Sequence, residues 1–419
     1  MKIKPRTTCR ICNGALDPIL ALGELYVSDF PGPDEPDGIK GPLELVLCQR
    51  CHLLQLKHTV PAIKLYQNYW YKSGTNQTMC AALADIAHSG EQLAHLQNGD
   101  AVLDIGCNDG TLLQGYRMGG LYKIGIDPAE NMASFARQVA DKVVADFFSA
   151  DLFRSDPDLA GRIPRIITSI AMFYDLDEPG KFVADIREIM HPDGVWIVQM
   201  SYLPMMLKTN ELGNICHEHL EYYSLHSLEY LLGLYDFEVV DVVLNDVNGG
   251  SFRTYIQSKS ANKDMFGDPA YRRLAMERVN ALREQEMRIG LHIRETYEEF
   301  ALWVERVKSD VVKFIKGQIR QGKKVYVYGA STKGNTVLQY FGLDHTLITA
   351  AAERNPEKWG KVTVGTRIPI VSEKEAREAN PDYFLVLPWH FIEEFKAREK
   401  KYLLSGGRFI LPAPYFTLI

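Results

Sequence analysis

Two groups of residues in this sequence have the types and spacings that chemistry requires. The first is four cysteines in two Cys-x-x-Cys pairs, Cys9/Cys12 and Cys48/Cys51. Each such turn can present two sulfurs to one ion, and two turns fill the four positions of a tetrahedral zinc site. With every position taken by protein sulfur no place is left for substrate, so this Zn2+ is expected to be structural. The stretch between the pairs is longer than the roughly 15–20 residues of common ribbons. It holds PGPDEPDG at 31–38, which reads as a loop inside the module. Disulfides or a redox pair are the competing readings. The start MKIKPRTTCR shows no apolar leader, so the chain is expected in the cytoplasm, where disulfides are rare. A redox pair would open a helix in a βαβ pattern, which is absent here. His52 and His58 read as surface or packing residues.

The second group is HEHLEYYS at 217–224, followed by His226. Zinc proteases place two imidazoles at i and i+4 of a helix, on one face. His217 and His219 stand at i and i+2, which diverge on a helix. Three readings remain: a second metal site with His226, histidines hydrogen-bonded at a domain seam, or a general base. Imidazole titrates near 6.5, which suits proton transfer at neutral pH, and Glu218 could orient it or share its proton. His226 is the second choice for the base. Upstream, Tyr66, Tyr69, Trp70 and Tyr71 precede Ser73-Gly74. Such dense aromatics either cover a junction or line a pocket.

These residues need elements to hold them. The run AVLDIGCNDG at 101–110 reads as a strand entering a Gly turn, and TLLQGYR after it as a helix. Glycines let backbone approach a ligand, and a helix N-terminus favours polar or anionic groups. YKIGID at 122–127 predicts a second strand ending in Asp127, placed to meet a ribose diol. DKVVAD at 141–146 ends in Asp146 before Phe147 and Phe148, an acceptor for an adenine amine and a face for its ring. A fourth strand at 165–179, a helix, and a strand after the turn His191-Pro192-Asp193-Gly194 follow. This order resembles class I S-adenosylmethionine-dependent methyltransferases, and the G-x-x-x-G spacing favours that cofactor over NAD. The expected cofactor contacts are Asp104, Gly106, Asn108, Gly110, Asp127, Asp146 and Phe147. A doubly wound fold with another nucleotide is the alternative, and Cys107 reads as a small packed thiol.

The chain has 419 residues, which predicts two to three domains. A net charge of −6 argues against nucleic acid, and no apolar run reaches the roughly 20 residues that span a bilayer. Residues 265–320 show long apolar-charged periodicity, expected to be helical with solvated charged faces. KKVYVYGASTKGNTVLQYF at 323–341 repeats the strand, Gly turn and helix. Gly329, Ser331, Lys333 and Asn335 there could cradle a diphosphate, or the turn could be one of tight packing. Pro388, Trp389 and His390 end a later strand, and the Trp-His pair reads as packing.

Over essentially its full length the chain resembles the nucleotide-sugar C-methyltransferase family, which includes the C-3 methyltransferases of deoxysugar biosynthesis. The resemblance rests on Cys9/Cys12 with Cys48/Cys51, on Tyr69, Tyr71 and Ser73, on LDIGCNDG, and on HEHLEYYS. It implies an α/β protein in three parts. These are a zinc-binding module (1–65), a Rossmann-like S-adenosylmethionine domain (66–245), and a helical segment with a second Rossmann-like domain that binds the nucleotide sugar (246–419). It implies His219 as base, with Glu218 beside it and Tyr71 or Tyr222 bonding the keto oxygen. Tyr69, Ser73 and His217 are the expected sugar contacts. Some members with 3-amino-4-keto sugars carry a tyrosine where Cys216 stands here, so an amino group at C-3 does not follow. The implied reaction is carbanion chemistry: a 4-keto group acidifies C-3, His219 takes the proton, and the enolate carbon attacks the methyl. The competing functions are O- or N-methylation of another small molecule, and a non-catalytic zinc-containing binding protein.

Overall fold

Parallel strands buried on both faces read as continuous apolar runs, and Ala101–Ile105 is buried throughout. In the computed structural model, which describes residues 3–67 and 69–419, this strand lies inside a seven-stranded sheet. Met1 and Lys2, the first residues of the expected zinc module, lie outside the described residues. Tyr122–Ile126 and Pro164–Ile170 flank Ala101–Ile105 in parallel, with Lys142–Val144 and Val195–Ser201 outside them. The chain therefore leaves the first strand towards both sides. That makes the carboxyl end of Ala101–Ile105 a topological switch point, where open α/β sheets form a ligand crevice.

Alternate residues of the strand serve opposite layers. Val102 packs with Leu83 and Ile86 of the helix Gln77–Leu93, while Leu103 and Ile105 pack with Val183 and Ile186 of the helix Pro179–Ile189. Asn76 starts the first helix by accepting the Thr78 and Met79 amides. A Cβ on Gly90 would come within 3.1 Å of Ile166 and Ile197, so glycine lets this helix lie close on the sheet. The predicted helix TLLQGYR is only Thr111–Gln114.

Two strands cross the expected divisions. Ser251–Ser258 lies between Val195–Ser201 and Phe237–Asn245, antiparallel to both. The boundary expected between 245 and 246 therefore falls inside a hairpin of this sheet. Its turn contains Gly249-Gly250, both at positive φ, a pattern that also marks domain ends. Glu221–Tyr222 leaves the expected methyltransferase domain to pair with Leu54–Leu56. It completes a sheet with Lys40–Cys48 and Leu16–Tyr26.

The last sheet has Val325–Tyr328 at its own switch point, between parallel Ala351–Glu353 and Tyr383–Val386. Before it come the helices Pro269–Ile289 and Arg294–Arg320, separated at Gly290 in the left-handed region. The second helix buries Tyr297, Phe300, Val304, Val307, Val311 and Ile315, one stripe at helical spacing. That stripe shares an apolar cluster with Leu22 and Leu45 of the zinc sheet and with Val327 and Leu385 of the last sheet. Among the described residues no helix is long and apolar enough to cross a membrane.

Candidate active site

The Cys9–Cys12 and Cys48–Cys51 turns are built alike. In each, the amide two residues after the first cysteine donates to its sulfur: Ile11 to Cys9 and Arg50 to Cys48, both at 3.4 Å. In each, the residue after the second cysteine, Asn13 or His52, takes a positive φ and closes the turn on the first cysteine's carbonyl. The four sulfurs lie within 4.8 Å of one another. A Zn–S length of about 2.3 Å in a tetrahedron puts sulfurs about 3.8 Å apart, so the set fits Zn2+. Cys9, Cys48 and Cys51 are buried, which suits a structural ion.

Hydrogen bonds join this module to the 217–224 segment. Gln55 donates to the Cys9 sulfur at 3.2 Å, and Arg10, with a fully buried side chain, donates to Gln55, Leu56 O and Thr59. The Arg10 guanidinium is 3.7 Å from the buried Glu221 carboxylate. Leu56 N–H donates to Leu220 O, and Leu220 N–H donates to Tyr174 O. The loop carrying His219 is thus tied to the zinc sheet on one side and to the central sheet on the other.

A cavity of about 580 Å³ opens beyond the carboxyl ends of the parallel strands of the seven-stranded sheet and of the last sheet. Asp104, Gly106, Asn108, Asp127, Asp146 and Phe147 line one end. Gly106 has φ 75°, and a Cβ there would come 2.9 Å from Met172 Cγ. Asn108, also at positive φ, donates its amide to Asp127 and accepts from Ser73 N–H, which ties the aromatic segment to the turn. Asp127 accepts amides from Asn108 and Ala129, both at 2.8 Å. Burial pushes Asp104 up to about 7, although Thr168 Oγ1 donates to it at 2.6 Å. Gly110 does not line the cavity. Its positive φ starts the short helix, and a Cβ there would meet Val139 at 2.5 Å.

His219 lines the cavity too, as do Tyr66, Tyr69 and Asp175, while Tyr71 accepts at its carbonyl from the Asn108 side chain of the Gly turn. The His219 Nδ1 is 2.9 Å from Asn214 O. A carbonyl only accepts, so Nδ1 carries the proton and Nε2 keeps a lone pair. Burial first, and Lys333 second, push the imidazole down to about 3, so it is neutral at working pH. Its ring packs 4.4 Å from the Tyr174 ring, centroid to centroid.

Several expected contacts lie elsewhere. His217 is buried with Nε2 3.2 Å from Gly41 O, because residues two apart in this loop point to opposite sides. Tyr222 is 5% exposed, and its hydroxyl donates to Asn214 O instead of facing the cavity. Glu218 does not line the cavity; its backbone carbonyl accepts from the Tyr66 hydroxyl, and one carboxylate oxygen is buried without a partner. His226 stacks on His52, 5.3 Å between centroids, away from the cavity. Gly329 packs under Pro388, and Asn335 donates to Ser28 and Asp29. Ser331 and Lys333 do line the cavity, as do Tyr69 and Ser73. Sequence reasoning missed Asp175, Glu211 and Tyr174 and read His390 as packing; all four line the cavity. Asp175 and His390 follow strand carboxyl ends, a signal that could have found them.

Three family models match in tandem: a zinc binding domain over 9–66, a methyltransferase domain over 72–242 and a C-methyltransferase C-terminal domain over 246–414. The chain is 31% identical over 417 residues to the C-methyltransferase NovU of Streptomyces niveus, covering 98% of this chain and 96% of that relative. It belongs to the C-methyltransferase family. This C-methyltransferase is an S-adenosylmethionine-dependent enzyme, which sets aside NAD and the non-catalytic reading. Among solved structures it is similar to magnesium protoporphyrin IX methyltransferase of Synechocystis PCC 6803 with bound S-adenosylmethionine. That match has 14% identity and TM-score 0.30 and covers 44% of this chain and 79% of that one. Another is the 1,6-didemethyltoxoflavin-N1-methyltransferase of Burkholderia thailandensis, at 15% identity and TM-score 0.32, covering 44% and 80%.

Proposed function

We propose that this C-methyltransferase methylates C-3 of a 4-keto-deoxy nucleotide sugar, with His219 as the base. The observation that carries the reading is the His219 imidazole, whose Nδ1 is committed to Asn214 O while the ring lines the same cavity as the Gly106–Asn108 turn. When bound, S-adenosylmethionine supplies a sulfonium methyl that is already electrophilic, so the barrier lies in making a carbon nucleophile. Oxygen and nitrogen nucleophiles do not need a carbon-acid base; a carbon nucleophile does. Asp127, two of whose oxygens are fixed by amides, is offered to the ribose diol, and Asp146 with Phe147 to the adenine. Asp104 and Asn108 hold the amino-acid end. Tyr69, Tyr71 and Ser73 form the wall between that cradle and the sugar. Ser331 and Lys333 bring the C-terminal sheet to the sugar nucleotide. The thiolate ligands of a zinc site suit a reducing compartment, and we place the protein in the cytoplasm.

The test is incubation with labelled S-adenosylmethionine and a panel of 4-keto-6-deoxy nucleotide sugars, with products located by carbon NMR. His219→Gln should lower turnover about 10²–10⁴-fold, the usual loss on removing a general base. Label on oxygen or nitrogen, or a variant as active as the wild type, would overturn the reading.

A further inference from the structure

The turn Gly329–Lys333 has the look of a diphosphate cradle, yet most of its backbone donors are already used. Gly329 N–H donates to Ala352 O, Ser331 N–H to Gly329 O, and Gly334 N–H to Ser331 Oγ. Ala330 N–H donates at 3.0 Å to the Glu353 carboxylate, which takes up this amide. Ala330 O in turn accepts from the buried Lys358 ammonium at 2.9 Å, so neither polar group of this residue is left for a phosphate. The ammonium of Lys333 is directed elsewhere. Its Nζ is 2.5 Å from Asn214 Oδ1, across the seam between the two parallel sheets. Asn214 is buried, and its backbone carbonyl is the acceptor that fixes the His219 tautomer. One residue thus holds both the imidazole and the ammonium at one cavity wall.

Among the described residues Lys333 makes no ion pair within 4 Å, although the buried carboxyls of Glu211 and Asp175, which line the same cavity, feel its charge. An ammonium with a single neutral partner keeps two N–H donors free. A fixed cation contributes most where negative charge develops during reaction. We infer that Lys333, positioned by Asn214, donates to the C-4 oxygen of the sugar and takes up the charge of the enolate. The inference rests on the reading of the preceding subsection. In the step, the C-3–H bond breaks and its proton goes to His219 Nε2. The electron pair forms the C-3–C-4 double bond, and the carbonyl π pair moves onto the C-4 oxygen beside the ammonium. The same cation adds to burial, the larger cause, in keeping the imidazole neutral beforehand. Asn214 is a positioning residue in this scheme.

The experiment measures hydrogen–deuterium exchange at C-3 in deuterated water without methyl donor, at saturating 4-keto-6-deoxy nucleotide sugar. Wild type, Lys333→Met, Lys333→Arg and Asn214→Ala are compared, and the affinity for the nucleoside diphosphate alone is measured by calorimetry. Lys333→Met should lose about 10²–10³-fold in exchange, the scale of removing one oxyanion donor. Its nucleoside diphosphate affinity should stay within about threefold, a split that separates chemistry from binding. Lys333→Arg should recover part of the rate, and Asn214→Ala should lose rate with unchanged diphosphate affinity. A diphosphate affinity weakened more than about tenfold with saturated exchange intact overturns the inference in favour of phosphate binding. Equal exchange by wild type and Lys333→Met overturns it while leaving His219 chemistry standing. No exchange by the wild type with any sugar of the panel overturns the reading it rests on.

Discussion

Asp104 is a carboxyl group that the fold charges at a cost. It is 3% exposed at the carboxyl end of Ala101–Ile105, and burial raises it from 3.8 to about 7. At about 1.36 kcal/mol per unit, holding it ionised costs the folded chain about 4 kcal/mol. An acid raised on folding lowers stability above its folded value and has no effect below its unfolded value. Asp104→Asn, which keeps an acceptor for Thr168, should therefore stabilise the protein by about 4 kcal/mol at pH 8.5 and only about 1–2 kcal/mol at pH 5. The methyl donor is cationic, and the cradle reading has it bind the ionised form. With half-ionisation near 7, its dissociation constant should rise about 30-fold between pH 8.5 and pH 5.5 in the wild type and stay flat in Asp104→Asn. Calorimetric titration across that range reads the affinity, and thermal unfolding at both ends reads the stability. An affinity independent of pH in the wild type, or a less stable Asp104→Asn at pH 8.5, would refute the argument.

Three further outcomes are expected. Tyr222→Phe should reduce turnover by no more than about tenfold, since its hydroxyl donates to Asn214 O and a neutral hydrogen bond contributes about 0.5–1.5 kcal/mol; a loss of a hundredfold in steady-state assays would put the phenol on the substrate. Arg10→Met should cost about 3 kcal/mol in thermal unfolding, because its buried hydrogen bonds to Leu56, Thr59 and Gln55 vanish beside Glu221; an unchanged melting temperature would sink this. One zinc per chain should be found by metal analysis, and Cys48→Ser should lower both metal content and melting temperature; full metal content in that variant would contradict the four-sulfur site.

What could be read in the sequence followed from residues whose chemistry leaves few choices. Sulfur pairs at Cys9/Cys12 and Cys48/Cys51 at this spacing suit few fates besides a shared metal ion, and the glycine turn with Asp127 twenty-one positions after Gly106 marks a nucleotide crevice. What stayed hidden depends on orientation and distant pairing. His217 and His219 are the same residue type two positions apart, and only the loop's path decides that one meets Gly41 and the other the cavity. Tyr222 and Tyr174 are both buried aromatics, yet Tyr174 reaches the His219 ring and Tyr222 reaches a carbonyl. The two-residue strand Glu221–Tyr222 is too short to show any period. The Gly329 turn cannot announce in sequence that Glu353, far along the chain, has already taken its amide.

The strand Glu221–Tyr222 follows His219 almost directly and leans on a ladder that a metal ion helps to hold. On the proposed reading, stripping the metal should therefore impair the step assigned to His219 more than binding of the methyl donor. The pair is held by side chains as well as by its ladder: Glu221 lies beside Arg10 of the zinc module, and Tyr222 reaches the carbonyl that also holds His219.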